Sequence, residues 1–266
     1  MNSSYSLILA AGLLGGFVYT TPSYGADVKL VTKIKVAFLG IGVGKMNSTI
    51  SVADSQYSIS GLVKTSGMVT VVSKTKATFA SAGKISGKRL IPHGHNMKYK
   101  SNKKRGSLRL SFAGGNVTKT SAVPAIKYKA GSVPVDGSHM KSVLDPVSAL
   151  LFPVEASGVG NGRSVCNRTL PVFDGKARMN LVFSYKSKAV RKAKGFKGMT
   201  FTCSVRYQPV AGIRPHKKNI KFMKANRDMS VTVARVGDSN LYALFGFYVR
   251  TSKGVASGSA ARFALQ

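Results

Sequence analysis

Acidic side chains are the scarcest functional groups in this sequence: 8 Asp+Glu face 41 Lys+Arg in 266 residues, a formal charge of +33. Asp54, Asp136, Asp145, Glu155, Asp174, Asp228 and Asp238 are scattered among turn-like segments. Paired-carboxylate chemistry of the glycosidase kind therefore has little material. Asp174 in FDG and Asp238 in GDSN read as turn residues, and Asp228 beside Arg227 as the partner of a base.

Cysteine is scarcer still, with Cys166 and Cys203 the whole supply. There is no C-x-x-C, and two cysteines alone do not complete a zinc site. Two lone cysteines in an exported chain most simply form one bridge. The chain-entropy model gives such a loop roughly 3 to 4 kcal/mol. Neither a metal nor a cofactor is expected.

Long apolar runs are missing as well. The run LILAAGLLGGFV, Leu7 to Val18, is too short for an ordinary spanning helix, and no later segment approaches 18 consecutive apolar residues. With Ser23 and Gly25 following, residues 1–25 read as a signal peptide cleaved before Ala26, although the leading MNSSYS lacks the usual positive charge. That leaves residues 26–266 as one exported domain that keeps all of the charge.

What is abundant is period-two alternation. In VKLVTKIKVAFL, Val28, Leu30, Ile34, Val36 and Phe38 share one face while Lys29, Lys33 and Lys35 take the other. Similar runs follow, from STISVADSQYSISGLV through MVTVVSKTKATFA, HNMKYKS, GSLRLSFAGG, ARMNLVFSYK, MTFTCSVRYQPV, KKNIKFMKA, MSVTVARV and NLYALFGFYVRTS to VASGSAARFAL, separated by Gly, Asn, Asp or Ser. The reading is all-β: one strongly curved antiparallel barrel or spiral of roughly 11 to 14 strands, with a two-sheet sandwich second. The segment from Val117 to Val143 reads as a long connection between two strand sets. One short α-helix is expected in LDPVSALLF, capped by Asp145, begun by Pro146 and ended before Pro153. Its Val147, Leu150, Leu151 and Phe152 would face the β interior.

Three motif-like stretches carry little chemistry. FLGIGVGKMNST lacks the Ser/Thr after Lys45 that a phosphate loop needs, and reads as a glycine-rich hairpin turn. The Ser-x-x-Lys spacings at Ser73, Ser81, Ser101 and Ser138 lack companion motifs. His93 and His95 share a face if extended, but no acidic or cysteine ligand lies near them in sequence.

The cations concentrate at Lys103, Lys104 and Arg105, at Arg191, Lys192 and Lys194, and at Lys217 and Lys218. Such a field attracts anions collectively. The expected partner is a lipid, another anionic envelope component or an envelope protein, with peripheral membrane contact and no nucleic acid.

KISGKRLIPHGHNMKYKSNKKRGSLRLSFAGGNV, LDPVSALLFPV, VCNRTLPVFDGKARMNLVFSYK, GFKGMTFTCSVRYQPVAG and the closing ARFAL resemble the alphaproteobacterial domain-of-unknown-function family 3108, over about Val36 to Phe263. The resemblance implies a periplasmic β-rich protein similar in architecture to envelope-integrity β-spiral proteins with one disulfide. It supplies no mechanism. The expectation is a non-catalytic protein supporting envelope integrity. The alternatives are a hydrolase or transferase acting on cell wall or lipid, for which no nucleophile, base and orienter can be assembled by motif, and a solidly packed scaffold.

Overall fold

A computed structural model describes residues 27–67, 70 and 74–266. The expected signal peptide lies outside the described residues. Among the described residues fourteen strands form one antiparallel sheet. Seven make an N-terminal meander: β1 (Val28–Phe38), β2 (Ile41–Ala53), β3 (Gln56–Thr65), β4 (Lys76–Ser86), β5 (Arg89–Lys100), β6 (Arg105–Ala113) and β7 (Asn116–Val123). After a long connection come the short β8 (Leu151–Pro153), helix α1 (Gly162–Cys166), β9 (Arg168–Phe173) and the long pair β10 (Arg178–Ala193) and β11 (Phe196–Ala211). Helix α2 (Lys218–Ala225), β12 (Met229–Arg235), β13 (Leu241–Thr251) and β14 (Gly254–Leu265) complete the chain.

The two halves join where β1 pairs with β14, so the path runs from β7 through β1 and β14 to β9. The sheet is curved and not closed, and β7 and β9 are its edges. Between those edges runs the segment around Val143 and Leu144. Val143 N–H donates to Gly115 O in the β6–β7 turn (3.0 Å), Leu144 N–H to Pro171 O of β9 (2.8 Å), and Phe173 N–H to Leu144 O (2.9 Å). Leu110, Phe112 and Val117 from one side and Phe173 from the other pack around Val143. This clasp satisfies backbone groups that a bare edge would expose.

From the clasp the chain turns inward. Leu30, Ile50, Tyr57 and Ile59 of the wall pack on Val147 and Leu151. Phe152 and Val154 pack on the other side with Phe183, Phe201 and Tyr242. The chain itself thus packs into the interior, and a small void of about 20 Å³ lies between Thr32, Ile59, Phe79, Val147 and Leu150.

Several expectations need correction. LDPVSALLF holds no α-helix: Asp145 accepts from the Val147 and Ser148 N–H groups, but only a 3-10 turn over Ser148–Leu150 follows, with Val147 at its N-cap, and then β8. Pairing of Leu151 with Ala243 and Phe152 with Tyr242 offers this stretch ladder hydrogen bonds that a one-turn helix before Pro153 cannot match. Val147 and Leu151 face the first cluster as expected, Leu150 is only half-buried, and Phe152 points to the opposite side. KKNIKFMKA, read as a strand, is helix α2, whose Met223 packs against the second cluster. The start of the expected connection, from Val117 on, belongs to strand β7 (Asn116–Val123).

Candidate functional site

The inward alternation of the meander places three polar side chains where apolar ones are the rule. Tyr57, Ser81 and His95 point into the barrel and are 2%, 3% and 2% exposed. The inward segment meets them with Asp145 and Ser148, both without solvent exposure. Ser81 Oγ donates to Asp145 Oδ1 (2.7 Å) and lies 2.9 Å from His95 Nδ1. Ser148 Oγ donates to Asp145 Oδ2 (2.5 Å), and the Tyr57 hydroxyl lies 2.8 Å from Ser148 Oγ. The backbone N–H groups of Val147 and Ser148 also donate to Oδ1. Burial drives the Asp145 carboxyl upward, but the hydrogen bond and charge of His95 and the hydrogen bonds of Ser148 outweigh it, leaving the group below its ordinary range. Burial raises the Tyr57 hydroxyl and keeps it protonated.

A serine, a histidine and an aspartate in contact invite a catalytic reading, and the geometry answers it. In an acyl-transfer triad the carboxylate holds one ring nitrogen while the serine uses the other. Here Ser81 and Asp145 both meet Nδ1 of His95. All three side chains are buried, and besides His95 the carboxylate is committed to four donors. The cluster ties the inward segment to β3, β4 and β5, and its chemistry is that of a polar brace.

A wide concavity lies at the end of the barrel where β4 turns into β5 and β6 into β7. It is a cleft of about 760 Å³ between those turns, the clasp, and the start of β9. Leu90, Leu144, Leu151, Val154 and Leu170 give it apolar walls, while Lys88, Arg89, Arg168 and Glu155 supply charge. Arg168 is its unusual member. Nη1 donates to Pro153 O and Nη2 to Ser164 O, both at 2.9 Å, and the guanidinium lies 5.6 Å from the Phe152 ring centre. Its Nε is buried without a partner, and none of the three ion pairs among the described residues involves it. Desolvation pushes its pKa down to about 10. Glu155 is turned toward the β4–β5 turn, where a Cβ on Gly87 would lie 2.8 Å from its Oε1. A half-buried cation held by neutral carbonyls and lining a cleft is equipped to receive an anion.

Cys166, at the end of α1, is bridged to Cys203 of β11, with Cα atoms 5.3 Å apart and both residues fully buried. The bridge pins α1, which ends just before Arg168 at the start of β9, to the sheet. The basic segments do not form one patch. Lys103, Lys104 and Arg105 lie at the β5–β6 turn and Lys217 and Lys218 before α2, whereas Arg191, Lys192 and Lys194 lie at the β10–β11 turn, the opposite end of the strands. His93 and His95 part company, because the ladder shifts register there: His95 is buried and His93 exposed. Among the described residues no cluster of three His, Cys, Asp or Glu could hold a metal. No helix among them is long and apolar enough to cross a membrane.

Sequence reasoning missed Arg168 and the brace. The inward parity of Ser81 and His95 within otherwise apolar rows was the available signal for the brace. For Arg168 there was only its place in C-x-R-T-L-P.

Fold and site together define a barrel-like β protein with a clasped seam, a self-filled interior and a cationic cleft. A solved structure titled a beta-barrel-like protein of domain of unknown function DUF1849, from Brucella abortus, shares this fold: 8% identity, TM-score 0.51, over 90% of this chain and 98% of that one. The family described as protein of unknown function (DUF3108) matches residues 29–256, and the chain belongs to it. No curated protein matches the chain.

Proposed function

We propose that this protein is a non-catalytic component of the bacterial cell envelope that supports its integrity by holding the anionic head of an amphiphile in the Arg168 cleft. The observation that carries this reading is a half-buried guanidinium whose Nε is shielded from solvent without a partner, in none of the ion pairs among the described residues, at the wall of a cleft with apolar sides. The apolar side chains would receive part of the ligand's hydrocarbon, and Arg168, with Lys88 and Arg89, its charge. The disulfide and the apolar run at Leu7–Val18 support the periplasm as its compartment.

Calorimetric titration with dodecyl phosphate and dodecyl maltoside tests the reading. Dodecyl phosphate should bind, dodecyl maltoside should bind at least about ten-fold more weakly, and Arg168→Gln should remove that preference, each charged hydrogen bond being worth about 1.5–3 kcal/mol. Equal affinity for the two detergents, or an unchanged preference in Arg168→Gln, would overturn it.

A further inference from the structure

The pairing register of the meander brings together cations that are far apart in sequence. Lys35 of β1 lies opposite Lys45 of β2, Lys45 opposite Lys64 of β3, and Lys64 opposite Lys76 of β4. Lys76 lies opposite Lys100 of β5, and Lys100 opposite Arg105 of β6. Directly paired residues share a face, so six consecutive strands present one unbroken row of cations. Five of the six are exposed and Lys45 is half-buried, which puts the row on the outer wall. At a strand spacing of about 4.8 Å the row is about 24 Å long.

Such a row is unfavourable for the protein alone. Like charges directly opposite one another destabilise a sheet, and each neighbour is well inside the screening length of about 8 Å at physiological salt. Nothing nearby offsets it. The ion pairs among the described residues involve none of the six, and the only carboxylate between Lys29 and Val135 is Asp54, in the β2–β3 turn at the other end of these strands. The Arg168 cleft also lies at that other end, so the row is a separate surface.

We propose that this row binds a linear polyanion, laid across the strands, with about one negative charge per strand spacing. An acidic polysaccharide carrying one carboxylate on each sugar ring is the chemical class that fits. The shape of the row selects it. A line of evenly spaced cations passing round a convex wall matches a flexible chain of charges, whereas a flat bilayer touches such a wall over only part of the row.

The test uses oligogalacturonates of increasing length, titrated against the whole protein at several salt concentrations. Affinity should climb steeply until the oligomer spans the row and only slowly thereafter. The dependence of log K on log salt should have a slope of about −4 for six contacts, by analogy with single-stranded polyanions. Lys45→Gln/Lys64→Gln/Lys76→Gln should lower affinity by roughly ten-fold or more and bring the slope to about −2. Arg191→Gln/Lys192→Gln/Lys194→Gln removes the same net charge at the opposite end and should change affinity by less than about three-fold. The lysine variant should melt no lower than the wild type, since it relieves repulsion, and this guards against loss of fold. Equal losses in the two triple variants would reduce the row to general charge and overturn the proposal. So would affinity independent of oligomer length, or binding to phosphatidylglycerol vesicles without binding to the oligomers.

Discussion

Asp145 Oδ1 and His95 Nδ1 lie 3.3 Å apart inside the barrel, one on the inward segment and the other on β5, and neither side chain has appreciable contact with solvent. Ser81 Oγ touches both, and Ser148 with Tyr57 completes the network on the other side. The pair fastens the segment that fills the barrel to the wall that surrounds it.

Asp145→Ala should therefore destabilise the protein by about 3–5 kcal/mol, the usual result of breaking a buried charged network. Asp145→Asn keeps an acceptor for Ser81 and the two backbone donors and should cost less, about 1–3 kcal/mol. Urea unfolding followed by circular dichroism measures both. Equal midpoints in wild type and Asp145→Ala would show that the network contributes nothing.

The same carboxyl sets an acid limit. Its folded value lies below the ordinary 3.8, because His95 and Ser148 outweigh burial. Its contribution is fully present above the unfolded value and is lost as pH falls through the folded one. The stability gap between wild type and Asp145→Asn should be constant from neutral pH to about pH 5 and narrow below about pH 4. A gap that stays constant down to about pH 2 would contradict the assignment.

The Cys166–Cys203 bridge closes a loop with a sequence separation of 37. Chain entropy assigns it roughly 3 to 4 kcal/mol. Cys166→Ser, Cys203→Ser and the double variant should each lose about that much, read as a fall in the thermal midpoint. Thiol labelling of the unreduced, denatured protein should find no free cysteine. A single variant with an unchanged midpoint would remove the structural role.

Gly212 follows β11 at φ +78°, and a Cβ there would lie 2.0 Å from the Lys176 carbonyl oxygen and 2.8 Å from Ala177 Cα. Backbone cannot give way as a flexible side chain can, so Gly212→Ala should cost at least about 2 kcal/mol. Gly114, at φ +58° in the β6–β7 turn, has nothing within 4 Å of its Cβ position. Gly114→Ala should then cost only about 1 kcal/mol of backbone strain. Thermal midpoints of the two variants would separate crowding from strain, and equal shifts would discount the crowding.

The all-β class was legible because period two is written directly in the residues: VKLVTKIKVAFL alternates, and β1 alternates in burial accordingly. KKNIKFMKA misled because its alternation is short. Its sequence also supports one amphipathic turn after another, and packing of Met223 against the second cluster decided for the helix. LDPVSALLF misled in the other direction. Asp145 holds the Val147 and Ser148 N–H groups, but three residues found a ladder partner in β13 that no local pattern announces.

Composition by itself determined that the folded chain would be strongly cationic, poor in carboxylate chemistry and limited to one disulfide. These are counts of side chains, and folding does not alter them. Register and closure belonged to the tertiary structure. Lys35 and Arg105 become members of one row only because five successive hairpins pair without a slip between them at that level. Arg168 becomes a half-buried cation at the cleft only because β8 brings the carbonyl of Pro153 within hydrogen-bond reach of it. A sequence states which charges exist, whereas the distances that give those charges their energy come from contacts between residues remote along the chain.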